Sequence, residues 1–294
     1  MSLGLRERKD SLSMQEIITT YEPDNCLKNG YLSVFGQIFF ELKRNRWLTY
    51  QLFKRDFSSS YKQSFLGVLW AIIFPLFTIA IFIGLSRSGI LNIGDIGVPY
   101  SMYALLGMTF WQFFSTGLVA CSNSLVNASP MILKTNFSKK SLVIAAAGKA
   151  VVPFMLQIMM VCTLFVGYGR APSILGLLVP AFIIPLVLFT IGLGFFTSLF
   201  NGVMRDIGNI ISILLTFLML FTPVLYARPK MGILATLTEY NPLYYLVSTP
   251  RDLVLKGLIP EWKGFLIVCF VSVFLFIGSL FVFHLTETKV TERI

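Results

Sequence analysis

Six long stretches of this chain contain no Asp, Glu, Lys or Arg, and they constrain its fold more than any other feature. They cover residues 63–86, 96–133, 150–169, 171–204, 207–227 and 264–286. A helix needs about 20 apolar residues to cross a bilayer core. Such long, uniformly apolar runs are typical of helices rather than of barrel strands. The sequence therefore predicts an all-α integral membrane protein with six transmembrane helices.

Composition supports a membrane protein and excludes two alternatives. Hydrophobic residues make up 55% of the chain and charged residues only 13%, which is about half the charged share of a soluble domain. The 28 Phe and 11 Tyr residues are too many for a solvated, disordered chain. When the runs are trimmed at turn-forming residues, the predicted spans are about 66–86, 100–125, 142–168, 173–200, 207–226 and 263–284.

The distribution of basic residues predicts the orientation. The chain carries a net charge of +10, and its first 62 residues are rich in Lys and Arg, which membrane proteins collect in cytosolic segments. We therefore expect a cytosolic N-terminal region over 1–62, a transmembrane domain over 63–286 and a cytosolic tail over 287–294. Both termini would be cytosolic. This topology explains the positive charge without a nucleic-acid partner.

Residues 36–55 predict an amphipathic helix that lies on the inner leaflet. Six apolar side chains share one side of the helical wheel: Ile38, Phe39, Leu42, Leu48, Leu52 and Phe53. Four basic side chains share the other: Lys43, Arg44, Lys54 and Arg55. Glu41 and Arg46 interrupt the pattern slightly. The basic side would face lipid phosphates; the alternative is an ordinary basic flank before the first span.

A predicted cytosolic loop, residues 127–140, carries an apolar tip. Ser129 and Pro130 are typical of an N-cap followed by the first helical position, so a short helix should run from Pro130 to about Thr135. Three apolar residues follow the proline: Met131, Ile132 and Leu133. An apolar tip outside the membrane indicates either docking into another protein or a dip into the bilayer surface.

Residues 228–260 are too apolar for a simple outer loop. Two segments, 231–239 and 243–256, are each shorter than a span, and Asn241–Pro242 separates them. Two short re-entrant helices that enter the outer leaflet and return would fit this pattern. The alternative is another pair of spans, which would place three charged residues in lipid: Glu239, Arg251 and Asp252.

The sequence lacks the motifs of an enzyme that could power transport. It contains no GxxxxGK[ST] phosphate loop and no GxSxG, HExxH or GxGxxG motif. The cysteines are scattered and His284 is the single histidine, so we predict no catalytic residue and no metal site. Lys149, well inside a predicted span, would snorkel to the cytosolic interface or meet an anionic head group. A transporter with a separate energy source is favoured over a membrane enzyme or a passive channel.

The stretch from Tyr61 to Leu76, YKQSFLGVLWAIIFPL, resembles the opening of the first span in polysaccharide-export permeases of the ABC-2 class. The positions that match are Tyr61, Ser64, Leu66, Gly67, Leu69, Trp70, Pro75 and Leu76. Further resemblances follow in order at 97–118, 123–125, 221–226 and 241–260. Ser138 departs from the family, which often has proline after the phenylalanine in this loop. The resemblance covers about residues 35 to 284.

This resemblance implies one half of an exporter in the bacterial cytoplasmic membrane. A second copy would complete the pore, and two ATP-binding cassette subunits, which hold ATP and Mg²⁺, would dock below it; this chain would hold no cofactor. The residues implied in ATPase docking are Ser129, Pro130, Met131, Ile132, Leu133, Lys134 and Phe137. The cargo would be a lipid-linked polysaccharide. O-antigen is favoured, with teichoic acid or a capsule polymer as alternatives and a small drug less favoured.

Aromatic rings suit such a cargo, because they hold the apolar C–H faces of sugars weakly and let a polymer slide. The candidate rings on the substrate path are Phe74, Phe77, Phe217, Phe221, Tyr226, Tyr244 and Tyr245. Rings that face lipid are the alternative. The basic residues expected to meet the lipid pyrophosphate are Arg44, Arg46, Lys54, Arg55 and Lys149, with ordinary anionic lipid as the alternative.

Overall fold

The computed structural model describes residues 31–62, 69–89, 96–132 and 138–291, and this part of the chain is helical, without a strand. The predicted start of the first span at residue 66 lies outside the described residues. The α-helices are α1 (Tyr31–Arg44), α2 (Arg46–Lys62), α3 (Trp70–Arg87), α4 (Tyr100–Ser122), α5 (Ser124–Asn127), α6 (Ser129–Ile132), α7 (Lys139–Ala147), α8 (Val151–Gly167), α9 (Val179–Phe182), α10 (Ile184–Val203), α11 (Ile207–Phe221), α12 (Ile233–Tyr240), α13 (Pro242–Lys256) and α14 (Trp262–Thr291).

Five helical stretches of the described residues are long and apolar enough to cross a membrane, and they match five of the six predicted spans. They are Trp70–Arg87, Tyr100–Ser122, Lys139–Gly167, Ile174–Val203 and Trp262–Glu287. The remaining candidate, α11, has only 15 residues, about 22 Å of helix. It ends because Thr222 precedes Pro223 and adopts an extended conformation. A crossing by α11 therefore stays a prediction.

Helix α4 forms the centre of the protomer. Of its apolar stretch, 67% is buried, against 11% for α3. It packs against α3, α8, α10, α11 and α13. Gly107 allows one of these contacts, since a Cβ there would overlap the carbonyl oxygen of Val224. Because α4 fills the core, α3 and α11 each pack one side against it. Most of the surface of these two helices faces away from the rest of the protomer.

The N-terminal region forms two helices rather than the single helix predicted over 36–55. The interruption between α1 and α2 falls at Asn45, a weak helix former. Backbone bonds from Asn45 N to Glu41 O and from Thr49 N to Asn45 O carry the helical course through it. Ile38 and Leu52, from the predicted apolar side, are buried in a cluster of protein side chains. Contact of this region with the inner leaflet stays a prediction.

The region predicted to lie outside, residues 228–260, contains two short helices, α12 and α13, separated at Asn241. The Asn241 side chain accepts a hydrogen bond from the backbone N–H of Leu243, and Pro242 occupies the first turn. These are the usual features of a helix start. Residues 243–251 of α13 are buried, and the helix packs against α4 and α14. Entry of these helices into the outer leaflet stays a prediction.

The crossing of α11 can be tested with single cysteines at its two ends. Arg205, in the turn before α11, and Met231, in the segment after it, are both exposed. In a background without the native cysteines, Met231→Cys should react with an impermeant maleimide added outside the cell. Arg205→Cys should react only after the membrane is opened, since a crossing helix separates its ends. Reaction of both from the same side would show that α11 does not cross.

Candidate functional site

The two helices predicted to carry the substrate path present exposed aromatic rings. On α3, Phe74 is 54% and Phe77 is 68% exposed; on α11, Phe217 is 56% and Phe221 is 45% exposed. Phe217 and Phe221 are four residues apart, so they lie on one face of α11. Both helices pack on α4. These faces are therefore open in the single chain to lipid, to a second protomer or to a cargo.

A pair of glutamines, one of them buried, supports α3 where a proline weakens it. Pro75 lies inside α3 and has no N–H to give to the carbonyl of Ala71, four residues earlier. Gln157 of α8 supplies the missing donor, because its Nε2 donates to Ala71 O at 3.3 Å and to Gln112 Oε1 at 2.6 Å. Gln157 is fully buried. The pair thus ties α3 to α4 and α8.

A buried asparagine fixes the start of α11. The side-chain amide of Asn201 donates to the Ser122 carbonyl and to Asn123 Oδ1, both at 3.0 Å. Its oxygen accepts from the backbone N–H of Gly208 at 2.9 Å, one of the donors that a helix N-terminus leaves free. The amide therefore joins the end of α10 to the end of α4 and to the first turn of α11.

A buried arginine holds the other end of α11. The Nη1 atom of Arg251 donates to the carbonyl oxygens of Pro223 at 3.1 Å and Val224 at 3.2 Å, and only 3% of the side chain is exposed. The guanidinium lies 3.8 Å from the centre of the Tyr103 ring, close enough for a cation–π contact. The Tyr103 hydroxyl donates to the Tyr226 carbonyl at 3.0 Å. We call Tyr103, Arg251 and residues 223–226 the outer clamp.

A second polar cluster lies beside the outer clamp. Arg228 forms an ion pair with Glu261, and the Tyr244 hydroxyl donates to the same carboxylate at 3.2 Å. Burial, with the added charge of Glu261, raises the pKa of Tyr244. The phenol therefore stays protonated and remains a donor. These contacts join the segment after α11 to α13 and to the start of α14.

The three tyrosines predicted on the substrate path are held by hydrogen bonds. The Tyr226 hydroxyl donates to Leu220 O at 2.6 Å, and the Tyr245 hydroxyl donates to Glu239 O at 2.9 Å. Tyr226 is partly buried, whereas Tyr244 and Tyr245 are only 7% and 8% exposed. Contact of these rings with a cargo stays a prediction.

The start of the predicted docking segment lies within the described residues. Ser129 is the first residue of α6 rather than the residue before it, and its hydroxyl donates back to Val126 O at 2.8 Å. Pro130 is exposed. The described part of the chain does not include Leu133, Lys134 and Phe137, nor the side chains of Met131 and Ile132. The helix end near Thr135 also lies outside it, and the docking role stays a prediction.

The basic residues predicted to meet a pyrophosphate have different surroundings. Four of them are exposed on α1 and α2: Arg44, Arg46, Lys54 and Arg55. Arg55 pairs with Asp56 at 2.7 Å. Lys149 Nζ lies 3.6 Å from the other carboxylate oxygen of Asp56. The lysine predicted inside a span thus has a protein counter-charge close by.

Sequence reasoning missed the amides Gln157 and Asn201 and the contacts of Arg251. One signal was present, because an amide inside a charge-free stretch must find a partner away from lipid. Gln112, Gln157 and Asn201 all lie in such stretches. Their partners are far away in the chain, so no spacing rule could have identified them.

Comparison with known proteins identifies the family of this chain. A family model of the ABC-2 type transporter matches residues 48–255. The chain is 24% identical over 261 residues to the O-antigen export system permease protein RfbA of Myxococcus xanthus, covering 86% of this chain and 98% of that protein. It is also 24% identical over 241 residues to a protein of the same name from Klebsiella pneumoniae, covering 81% and 91%. The family match extends from α2 into α13, well over half of the chain. This protein therefore belongs to the ABC-2 type transporter family.

Proposed function

We propose that this protein is the membrane subunit of an ATP-driven exporter that moves a lipid-linked polysaccharide across the bacterial cytoplasmic membrane. The cargo that we favour is O-antigen. One observation carries the proposal. Three segments that resemble polysaccharide exporters, 97–118, 221–226 and 241–260, contribute Tyr103, Val224 and Arg251 to the outer clamp. Relatives named for O-antigen export, aligned over most of the chain, add support.

The energy for export would come from other subunits. The sequence contains no phosphate loop, and membership of an ABC transporter family implies ATP-binding partners. Residues 127–140 connect α4 to α7 and begin with a short helix at Ser129. In the predicted topology this segment faces the cytosol, where two ATP-binding subunits, holding ATP and Mg²⁺, would dock on two copies of the chain.

The route of the polymer would lie between the two copies. If the exposed faces of α3 and α11 turn inward, Phe74, Phe77, Phe217 and Phe221 line the passage from both sides. Aromatic rings hold sugar faces without demanding one fixed set of hydrogen bonds. A processive exporter needs this tolerance, because tight binding at one position would stop the polymer. The hydrogen bonds of Gln157, Asn201 and Arg251 would keep these two helices in place.

The lipid end of the cargo would be recognised at the inner leaflet. Arg44, Arg46 and Lys54 are exposed and would offer their charges to a pyrophosphate. Arg55 and Lys149 share Asp56, so less of their charge is available to a lipid. A teichoic acid or a capsule polymer is the second candidate cargo, since the resemblance of the first span extends to exporters of both.

Purification from native membranes tests the proposal. The tagged protein should bring down an ATP-binding subunit in equal amount, and its depletion should remove polysaccharide from the cell surface while lipid-linked glycan accumulates inside. A control purification of an unrelated membrane protein should not bring down this ATP-binding subunit. Absence of an ATPase partner, or normal surface polysaccharide after depletion, would contradict the proposed function. The composition of the accumulated glycan distinguishes O-antigen from the other polymers.

A further inference from the structure

A fully buried lysine, Lys140, is the last residue of the predicted docking segment, residues 127–140. Lys140 is the second residue of α7, and none of its side chain is exposed. Lysine is rarely buried completely unless it is paired. Residue 140, where the predicted loop ends, is therefore a charged residue in the protein interior.

Two carboxylates from distant parts of the chain neutralise this lysine. Lys140 Nζ donates to Glu41 Oε2 of α1 at 3.0 Å and to Glu287 Oε1 of α14 at 2.5 Å. The Nδ1 atom of His284 lies 3.4 Å from the same Glu287 oxygen. We call Lys140, Glu41 and Glu287 the inner node. Its three members come from the N-terminal helix, the end of the docking segment and the last helix.

The inner node explains an irregularity of the N-terminal helices. Glu41 interrupts the amphipathic pattern predicted for 36–55, and the structure explains it, because its carboxylate accepts from Lys140 and is only partly exposed. Helix α7 also packs against α2, α4, α10 and α14. A displacement of the docking segment must therefore move these helices or break buried ion pairs, which a low-dielectric interior makes costly.

We propose that Lys140 is a positioning residue that transmits movement of the docking segment to the N-terminal and last helices. This inference rests on the proposed function, because the movement would come from the ATP-binding subunits. The docking segment is joined to α7 by the chain itself, and the inner node joins α7 to both ends of the described chain. Without the node, α7 could move with the docking segment while α1 and α14 stay still.

Two variants separate transmission from simple neutralisation of buried charge. Lys140→Met replaces the ammonium by an apolar side chain of similar length and leaves two partly buried carboxylates without this cation. The triple variant Glu41→Gln, Lys140→Met and Glu287→Gln removes all three charges, and it should recover the folding that the single change loses. Lys230→Met, which removes the charge of an exposed lysine outside the docking segment, is the control.

Export for each ATP hydrolysed is the deciding measurement, made on the complex with its ATP-binding subunits. We expect the triple variant to assemble and hydrolyse ATP like the wild type but to export about tenfold less polysaccharide, within the usual range of coupling between sites. Lys230→Met should export normally. Wild-type export by the triple variant would overturn the inference, because the node would then only neutralise a buried lysine. A proportional loss of assembly, hydrolysis and export would overturn it too.

The two proposals fail in different ways. If the wild-type chain neither binds an ATPase nor supports export, the proposed function is wrong and the transmission role falls with it. If the wild type does both and the triple variant matches it, only the role of Lys140 is wrong. If Lys140→Met does not fold, the triple variant still decides the question.

Discussion

An Arg251→Leu variant should be less stable than the wild-type protein and should lose most of its export activity. The buried guanidinium donates to the carbonyl oxygens of Pro223 and Val224, and α11 has already ended before these residues. Each buried carbonyl that loses its donor costs about 1–3 kcal/mol. The Tyr103 ring would also lose its cation. We expect the unfolding midpoint of the purified protein to fall by about 5–10 °C.

Export should suffer beyond the loss of stability, because the outer clamp holds the segment that directly follows α11. Arg251→Lys should be intermediate, since an ammonium keeps the charge but lacks the planar guanidinium that lies on the Tyr103 ring. Arg170→Leu, an exposed arginine just after α8, is the control and should change neither stability nor export. An Arg251→Leu variant with the melting curve and surface polysaccharide of the wild type would show that the outer clamp does not hold the segment after α11.

The sequence predicted the fold well wherever lipid dictates composition. A span must exclude charge over about 20 residues, so the charge-free stretches predicted five helices that the structure contains. It predicted helix interruptions less well. The helical wheel continues through Asn45, and only the structure separates α1 from α2 there. For α11, the predicted end at 226 was five residues too long, because Pro223 forces Thr222 out of the helix.

The polar contacts of the candidate site could not be predicted from sequence, because their partners are distant in the chain. Glu41 looked like a flaw in an amphipathic pattern until Lys140 explained it. Arg251 counted as a charge that lipid would reject, and the structure removes this cost by covering it with backbone carbonyls and a ring. The exposed rings differ from these polar groups. The fold determines that the rings are exposed, but it does not identify what they contact, so mutation must identify that contact.

Replacing both Phe217 and Phe221 with alanine should reduce export strongly while assembly and basal ATP hydrolysis remain nearly intact. The two rings are 56% and 45% exposed on one face of α11, so their loss opens no large cavity in the protomer. If the face lines the passage, each ring is a platform for sugar. Stacking of nucleobases on such rings is worth about 1–3 kcal/mol, and a sugar face should give less. The defect should therefore be cumulative, with each single variant milder than the pair.

A matched pair on α14 separates the passage from the bilayer. Phe270 and Phe274 have the same spacing and are 65% and 73% exposed, on a helix that the proposal does not place along the passage. Alanine at both should leave surface polysaccharide unchanged, because lipid fills the space that the rings vacate. Equal export by the two double variants would assign the α11 face to lipid. Loss of dimers in the Phe217 and Phe221 variant alone would instead assign the rings to the contact between protomers, because a ring that only guides sugar contributes nothing to assembly.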